Sequence, residues 1–366
     1  GAFSRVKGLK TVIIPGNVEE ISDYAFSYNA TLENVVLNYG IKRIGVSAFD
    51  NAVKLSSIKL PESLSSIGER AFRNTALNEI EIPGSVKTLY RLFEGCRQLK
   101  SVKINEGVES LKEGLFSSCT SIEKLKIPTT VKEIDGNIFT NCAALEEIAI
   151  NNNSYFECEN NMLINKETKT ITLILPKYLN ENTTLEIPNG VEQLKCPLNS
   201  YNIKKMVIPK SMKQMPTGKL MPETLNEIEI ENGNNYLFTK DGMLYNADKK
   251  LILCYSNQKI VTVPDEVTEI SSYSFYNNKK VEEINCGTNT IKIDGWIFHL
   301  DNIKKINIGE KTSSIDPAFN FSKFDFELNI AKNNTYYKAI DGIIYTKDES
   351  TIIRCYKTAK NDMKIS

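Results

Sequence analysis

The strongest constraint on the fold of this 366-residue chain is a stretch that occurs twice in succession, from Leu99 and again from Ile122. The two copies are offset by 23 residues, and every apolar position of the first returns in the second. The matching pairs are Leu99/Ile122, Val102/Leu125, Ile104/Ile127, Val108/Val131, Leu111/Ile134, Leu115/Ile138, Phe116/Phe139 and Cys119/Cys142. A fixed apolar period indicates a chain wound into stacked coils, each of which buries its apolar face against its neighbours.

Seven units of this kind follow one another over residues 1–150, and they share one local order of residue types. They begin at Leu9, Leu32, Leu55, Leu77, Leu99, Ile122 and Leu145. Each opens with alternating residues of high β propensity, such as Val12 and Ile14, which favour a short strand. Proline with glycine, asparagine or serine often follows, and proline ends a strand because it fixes φ and removes a backbone donor.

A second short strand and an aromatic position complete each unit. We place the Ala-Phe pair found there, for example Ala48 and Phe49, on a helical turn whose ring fills the space between the two strands. The rings predicted to form the repeat core are those of Phe26, Phe49, Phe72, Phe93, Phe116, Phe139, Phe275, Phe298 and Phe319.

A different unit appears three times after residue 150, with copies that begin near Tyr155, Tyr236 and Tyr336. Asp241-Gly242 and Asp341-Gly342 lie between apolar runs, an arrangement typical of type I′ hairpin turns. Asn160-Asn161 takes the same place in the first copy. Each copy is therefore predicted to be a small three-stranded meander.

Together these patterns predict one solenoid over residues 1–366. Residues 1–150 form regular 23-residue repeats, 151–258 are repeats interrupted by hairpin units, 259–330 are regular again, and 331–366 are a hairpin unit that caps the end. The period and the L-x-x-L-x-L spacing are typical of a leucine-rich repeat. The predicted fold is a right-handed α/β solenoid of short parallel strands and helical turns with three hairpin insertions. Because the chain opens within a repeat, we expect a leader or earlier repeats to have been removed.

The composition argues against nucleic-acid binding and against a membrane-spanning helix. Lys and Arg number 45 and Asp and Glu number 45, so the formal net charge is zero. Nucleic-acid binding requires clustered positive charge to neutralise phosphates, which this sequence lacks. No apolar run reaches the length of about 18 residues that a transmembrane helix needs. Neither nucleic acid nor a membrane span is therefore expected.

Residues with catalytic or metal-binding chemistry are sparse. Cys96, Cys119 and Cys142 occupy one position in successive repeats, which predicts a ladder of buried thiols rather than a disulfide framework or a zinc site. The single histidine, His299, follows a core phenylalanine and is predicted to lie at the rim. We predict no catalytic residue, no metal site and no cofactor.

Two surfaces remain as candidates for binding. In the first strands, opposite charges are predicted to stack in register, as for Glu81 over Lys103 and Lys124 over Glu147, which favours a solvated sheet face. Tyrosines collect instead in the hairpin units. Their rings either grip a partner or pack the meander against the coils. The candidate binding residues are Tyr236, Tyr245, Tyr255, Tyr336, Tyr345 and Tyr356.

The proline turns and Ala-Phe pairs, alternating with Asp-Gly hairpins, resemble the BspA-like (Treponema-type) leucine-rich repeat proteins of bacterial surfaces. The resemblance covers almost the whole chain and implies a secreted or surface-anchored protein associated with adhesion to host matrix proteins or other cells. It predicts a non-enzymatic, monomeric interaction module that binds a protein or glycan on host or neighbouring cells. The alternative is a structural spacer that projects another domain and has no ligand of its own.

Overall fold

A computed structural model of the chain describes residues 1–295, 303–316 and 326–355. The chain divides into two compact units, Gly1–Glu181 (unit 1) and Asn182–Ser366 (unit 2). Four residues singled out from the sequence lie outside the described residues: Phe298, His299, Phe319 and Tyr356.

Unit 1 consists of short strands and one helix of six residues. In chain order they are β1 (Thr11–Ile14), β2 (Glu20–Ile21), β3 (Asn34–Leu37), β4 (Arg43–Ile44), β5 (Ser57–Ile58), β6 (Ser66–Ile67), β7 (Glu79–Ile82), β8 (Thr88–Leu89), β9 (Ser101–Ile104), β10 (Ser110–Leu111), β11 (Lys124–Ile127), β12 (Glu133–Ile134), β13 (Glu147–Ile150), β14 (Phe156–Glu159), β15 (Met162–Asn165), β16 (Thr170–Ile174) and α1 (Pro176–Glu181).

The odd-numbered strands β1 to β13 are the first strands of successive coils, and the even-numbered strands β2 to β12 are the second strands. First strands pair in parallel with first strands, so that Thr11 of β1 lies opposite Asn34 of β3. Second strands pair among themselves in the same way, as in the sheet of β8, β10 and β12. Within β7, Ile80 and Ile82 are buried while the two glutamates are exposed, because successive side chains of a strand point to opposite faces.

A ladder of stacked phenylalanine rings runs through the core of unit 1. Neighbouring ring centroids are 5.4 to 5.9 Å apart and the rings are nearly parallel. The ladder consists of Phe3, Phe26, Phe49, Phe72, Phe93, Phe116 and Phe139. All are buried except Phe3, which lies at the end of the ladder and is 53% exposed. Successive coils therefore share one apolar core, as the 23-residue period predicts.

The prediction of helical turns at the Ala-Phe pairs is wrong. The N–H of Phe26 donates to the carbonyl of Ala48 in the next coil at 2.8 Å, and the N–H of Phe49 likewise donates to Ala71. A residue with positive φ precedes each alanine, for example Ser47 with φ of 51°, and a right-handed helix does not tolerate that conformation. These segments are turns that bind the next coil through alternate backbone N–H groups.

The predicted thiol ladder is present in unit 1. Cys96, Cys119 and Cys142 are buried free thiols. Each thiol donates to the carbonyl oxygen of the phenylalanine one coil earlier, at 2.9 to 3.0 Å. Burial raises the pKa of Cys96 to about 11 and that of Cys142 to about 12, because the apolar surroundings disfavour the thiolate.

We therefore expect the ladder thiols to resist alkylation in the folded chain. A pKa near 11 instead of 9 lowers the thiolate fraction at pH 8 about a hundredfold, and only the thiolate reacts. Iodoacetamide at pH 8 should modify the exposed Cys355 promptly and Cys96, Cys119 and Cys142 only after unfolding in guanidinium, as read by peptide mass spectrometry. Rapid labelling of Cys96 in the native chain would contradict the buried ladder.

The described residues of unit 2 repeat this organisation with more irregular coils and include a short 3₁₀ turn, Gly218–Leu220. Its strands are β17 (Thr184–Glu186), β18 (Gln193–Leu194), β19 (Lys205–Ile208), β20 (Glu227–Ile230), β21 (Leu237–Lys240), β22 (Met243–Asn246), β23 (Lys250–Cys254), β24 (Ile260–Thr262), β25 (Glu269–Ile270), β26 (Glu283–Asn285), β27 (Lys292–Ile293), β28 (Lys305–Ile308), β29 (Ser314–Ile315), β30 (Glu327–Ile330), β31 (Tyr337–Ile340), β32 (Ile343–Thr346) and β33 (Ile352–Cys355).

The first strands β24, β26, β28 and β30 form a parallel sheet. Phe275, which belongs to the predicted repeat core, is completely buried in the apolar core of unit 2, and the same core contains Ile284 and Ile306. The coil packing seen in unit 1 is therefore found again in the described part of unit 2.

Three antiparallel meanders occur along the chain. They are β14–β15–β16, β21–β22–β23 and β31–β32–β33. Their first turns have the positive φ pairs of type I′ geometry, with 51° and 74° at Asp241 and Gly242 and 48° and 63° at Asn160 and Asn161. Asparagine adopts this left-handed conformation more readily than most residues with a side chain, so it replaces Asp-Gly in the first meander.

The description of the meanders as insertions is corrected by the pairing of the second one. Its third strand, β23, pairs in parallel with β25, and Lys250 lies opposite Glu269. The order β21-β22-β23-β25-β27-β29 therefore forms one six-stranded sheet with two antiparallel pairings followed by three parallel ones. β23 occupies the place of a second strand of a coil, so this meander is part of the solenoid sheet.

The predicted charge pairs stack on the first strands, and Lys304 forms a similar pair just before β28. The ammonium groups of Lys103, Lys124 and Lys304 each lie 2.6 Å from a carboxylate of the adjacent coil. Glu282 lies between Lys259 and Lys304, whose hydrogen bonds lower its pKa to about 2. Because these pairs are exposed, each contributes little stability, and together they cover the strand faces with compensated charge.

Candidate functional site

The second meander, residues 236–255, carries exposed aromatic rings. It is held in place by Asn234, a buried side chain at its entrance. The amide of Asn234 donates to the carbonyl oxygens of Pro209 and Met212, both at 3.0 Å. Its oxygen accepts the N–H groups of Tyr236 at 2.8 Å and Leu237 at 2.9 Å. One side chain thus joins the preceding proline turn to the first strand of the meander.

We call an asparagine that makes these contacts a clip asparagine, and one stands at the entrance of each of the three meanders. Asn153 and Asn334 accept the two N–H groups that open the first and third meanders and donate to the preceding turn. Sequence reasoning missed these residues. The signal was available, because an asparagine stands two residues before the leading tyrosine in every copy.

The structure separates the candidate tyrosines by exposure. Tyr236 and Tyr336 lie two residues after the clip asparagines and are 42% and 50% exposed. Tyr345 is only 4% exposed, so it packs the third meander and cannot present its ring to a partner; its place among the binding candidates is corrected. The remaining described candidates, Tyr245 and Tyr255, are half-buried.

The half-buried tyrosines have structural contacts. The ring of Tyr245 stacks on Phe238 across the β21–β22 pair, with centroids 5.7 Å apart. Burial raises the pKa of Tyr255 to about 12, and the Thr239 side chain is hydrogen-bonded to it. Phe238 itself is 38% exposed and was not predicted as a binding residue. The surface that the second meander offers to a partner is therefore formed by Tyr236 and Phe238, with Tyr245 behind Phe238.

A lysine from the preceding coil borders this aromatic surface. The ammonium of Lys213 lies 5.5 Å from the centroid of the Tyr236 ring. It also binds the carboxylate of Glu192 at 2.6 Å, and this hydrogen bond raises the pKa of Lys213. The ammonium therefore stays protonated, and its charge is compensated by Glu192 rather than left for a ligand.

Next to Tyr236 lies a cleft of about 270 Å³, to which Lys213 also contributes. We call it the Ser271 cleft; its neutral polar side chains are Gln214, Thr217, Asn246, Ser271 and Ser272. The second meander supplies Asn246, and the N–H of the following residue, Ala247, donates to the carbonyl of Tyr236 at 2.9 Å. The cleft and the exposed ring of Tyr236 are thereby held on the same end of the meander.

Elsewhere in the described residues, the side chains provide no cluster of three or more histidine, cysteine, aspartate or glutamate groups arranged to hold a metal ion. Their helices are too short and polar to cross a membrane. The site thus consists of aromatic rings, hydroxyls, amides and paired charges, which suit non-covalent recognition.

Coils of parallel strands stacked around a shared apolar ladder define the class of leucine-rich repeat solenoids. The model of the family described as BspA type leucine rich repeat region (6 copies) matches residues 1–92, 90–182 and 249–340. The chain belongs to this BspA-type leucine-rich repeat family.

Comparison with solved structures finds several leucine-rich repeat proteins that resemble this chain. A leucine rich cell surface protein from Faecalibacterium prausnitzii is 22% identical, with 88% of this chain and 79% of that chain covered and a TM-score of 0.56. A leucine-rich repeat protein from Bacteroides ovatus is 22% identical over 88% and 84% of the two chains, with a TM-score of 0.46. A T. pallidum leucine rich repeat protein is 28% identical over 38% of this chain and 69% of that chain, with a TM-score of 0.37. No curated protein matches the chain.

Proposed function

We propose that this chain is an extracellular, non-enzymatic interaction module of a bacterial surface, which binds a protein or glycan on a host or neighbouring cell as a monomer. The family suggests a protein-interaction role. The Faecalibacterium prausnitzii structure with the same fold is described as a cell surface protein, which supports the location.

The observation that carries the proposal is the exposed aromatic pair of the second meander, Tyr236 and Phe238. Aromatic residues supply much of the binding energy at interfaces, because they bury large rigid surfaces. The first strands offer no comparable anchor where their charges are paired between coils, as for Glu81 and Lys103. A partner would therefore gain most by contacting the meander.

The in-register ion pairs favour the second candidate function, a spacer whose sheet face stays solvated and which projects another domain. The two functions differ in whether the chain itself retains a partner. We expect the fluorescently labelled chain to bind at least one surface among cultured epithelial cells, immobilised matrix proteins and immobilised glycans. A double variant, Tyr236→Ala with Phe238→Ala, should bind about tenfold more weakly.

The matched control is Tyr39→Ala, since Tyr39 is an exposed tyrosine of unit 1 outside the meanders. This variant should bind as the unmodified chain does. Absence of binding by the unmodified chain to every surface would favour the spacer. Equal binding by the double variant would show that the second meander is not the contact site.

A further inference from the structure

We infer that the Ser271 cleft binds a terminal sugar unit of a neutral saccharide. This inference rests on the proposed interaction function and names the chemistry of the ligand. Its support comes from the hydrogen-bonding capacity, the charge and the apolar surface of the cleft.

Unused hydrogen-bonding groups converge in the cleft. Within the described part of the chain, the side chains of Gln214, Thr217, Ser271 and Ser272 make no hydrogen bond. Asn246 uses its oxygen to accept the N–H of Lys250 at 3.0 Å, which leaves its amide hydrogens available. Hydroxyl and amide groups both donate and accept, as sugar hydroxyls do. Such side chains can form hydrogen bonds with the hydroxyl groups of a polyol, and neither group in these bonds needs a formal charge.

A second cleft, of about 250 Å³ beside Tyr255, uses its amide groups differently. There the amide of Asn277 donates to Gly218 and Met221, and the amide of Asn278 donates to Cys254 and Ser256. These amides hold the backbone together and have little capacity left for a ligand. The Ser271 cleft differs because the side chains of Gln214, Thr217, Ser271 and Ser272 do not hold the backbone in this way, and Asn246 does so only through its oxygen.

The charges of the Ser271 cleft are compensated. Lys213 is paired with Glu192 at 2.6 Å, and Lys250 is paired with Glu269 at 3.2 Å. An anionic ligand such as a phosphate or an acidic sugar would have to compete with these carboxylates for the ammonium groups. Compensated charge therefore favours a neutral ligand.

The Ser271 cleft also offers apolar surface that suits a sugar ring. Met215 and Ile252 contribute to the lining, and the ring of Tyr236 lies 5.5 Å from the ammonium of Lys213, which also lines the cleft. Ligand sites combine apolar and aromatic surface with a few polar groups that fix orientation. The C–H faces of a sugar ring suit the apolar side chains while its hydroxyls reach the polar ones. The small volume accommodates a terminal unit, and the rest of the saccharide extends along Tyr236.

The test uses labelled oligosaccharides of two to six units built from glucose, galactose, mannose or N-acetylhexosamines, with sialylated versions as the acidic arm. We expect the full chain to bind at least one neutral probe and the acidic versions more weakly. The double variant Ser271→Ala with Ser272→Ala should weaken this binding about tenfold, because two hydrogen bonds to the ligand are lost. Since these hydroxyls make no internal hydrogen bonds, the variant should melt as the unmodified chain does.

The control is Asn257→Ala at the second cleft, where Asn257 accepts only an exposed hydrogen bond from Lys280. It should leave saccharide binding within about twofold of the unmodified chain. Failure of every neutral probe, preference for the acidic probes, or unchanged binding by the double serine variant would overturn the inference. If cells still retain the chain through Tyr236 and Phe238 in any of these cases, the interaction function stands and only the saccharide assignment fails.

Discussion

Replacing Phe93 by alanine is expected to lower the melting temperature of unit 1 by about 10 °C. Phe93 is completely buried between Phe72 and Phe116, with ring centroids 5.9 and 5.8 Å away. Truncation of a buried phenylalanine costs about 3–5 kcal/mol, since it removes apolar burial and leaves a cavity. For a domain of this size each kcal/mol corresponds to about 2–4 °C. Differential scanning calorimetry of the full chain measures the shift.

The matched control is Phe3→Ala. Phe3 belongs to the same ladder but stacks on one neighbour, Phe26, and is 53% exposed. Its removal should shift the transition by about a third of the Phe93 effect or less, because little burial is lost. Equal shifts for the two variants would show that position in the ladder does not matter, and the shared core would have to be abandoned.

Replacing Asn234 by alanine should destabilise unit 2 by about 3 kcal/mol. The variant loses four hydrogen bonds of 2.8 to 3.0 Å and leaves buried backbone groups without a partner. Each buried group left unsatisfied costs about 1–3 kcal/mol, and water that enters the gap recovers part of this. Urea unfolding measures the change in free energy, and hydrogen exchange at the N–H groups of Tyr236 and Leu237 locates it.

The adjacent asparagine supplies the control. Asn235 is exposed, so Asn235→Ala should change the free energy of unfolding by about 0.5 kcal/mol or less. If both variants lose the same stability, the effect is a general preference for asparagine in this segment and the clip is not its cause. Faster exchange at Tyr236 and Leu237 is expected in Asn234→Ala alone.

The features predicted well were those that repeat along the sequence. The 23-residue period placed Phe116 above Phe139, and the parallel register followed from it, as did the pairing of Glu81 with Lys103. The helical turns failed because the apolar spacing around Ala48-Phe49 does not reveal that Ser47 has a positive φ. The backbone N–H groups of Ser47 and Phe49 donate to carbonyl oxygens of the next coil. Local helix propensity does not describe hydrogen bonds between coils.

For the candidate site, the sequence singled out the meander tyrosines but did not reveal which of them are exposed. Tyr236 is exposed and Tyr345 is buried, although both were chosen for the same reason. Tyr236 precedes the first strand of its meander and Tyr345 lies in the second strand, and the burial of each ring depends on the packing of whole coils. Phe238 was overlooked because its exposure results from that packing too.

The sequence by itself determined the coil, its period, the core rings of the described residues and the family, because each depends on a pattern that recurs within about two dozen residues. The tertiary structure alone decided which tyrosines face solvent, how Asn234 joins the coils, and that Gln214, Asn246 and Ser271 border one cleft. Those residues come from separate segments, and only the stacking of successive coils sets the distances between them.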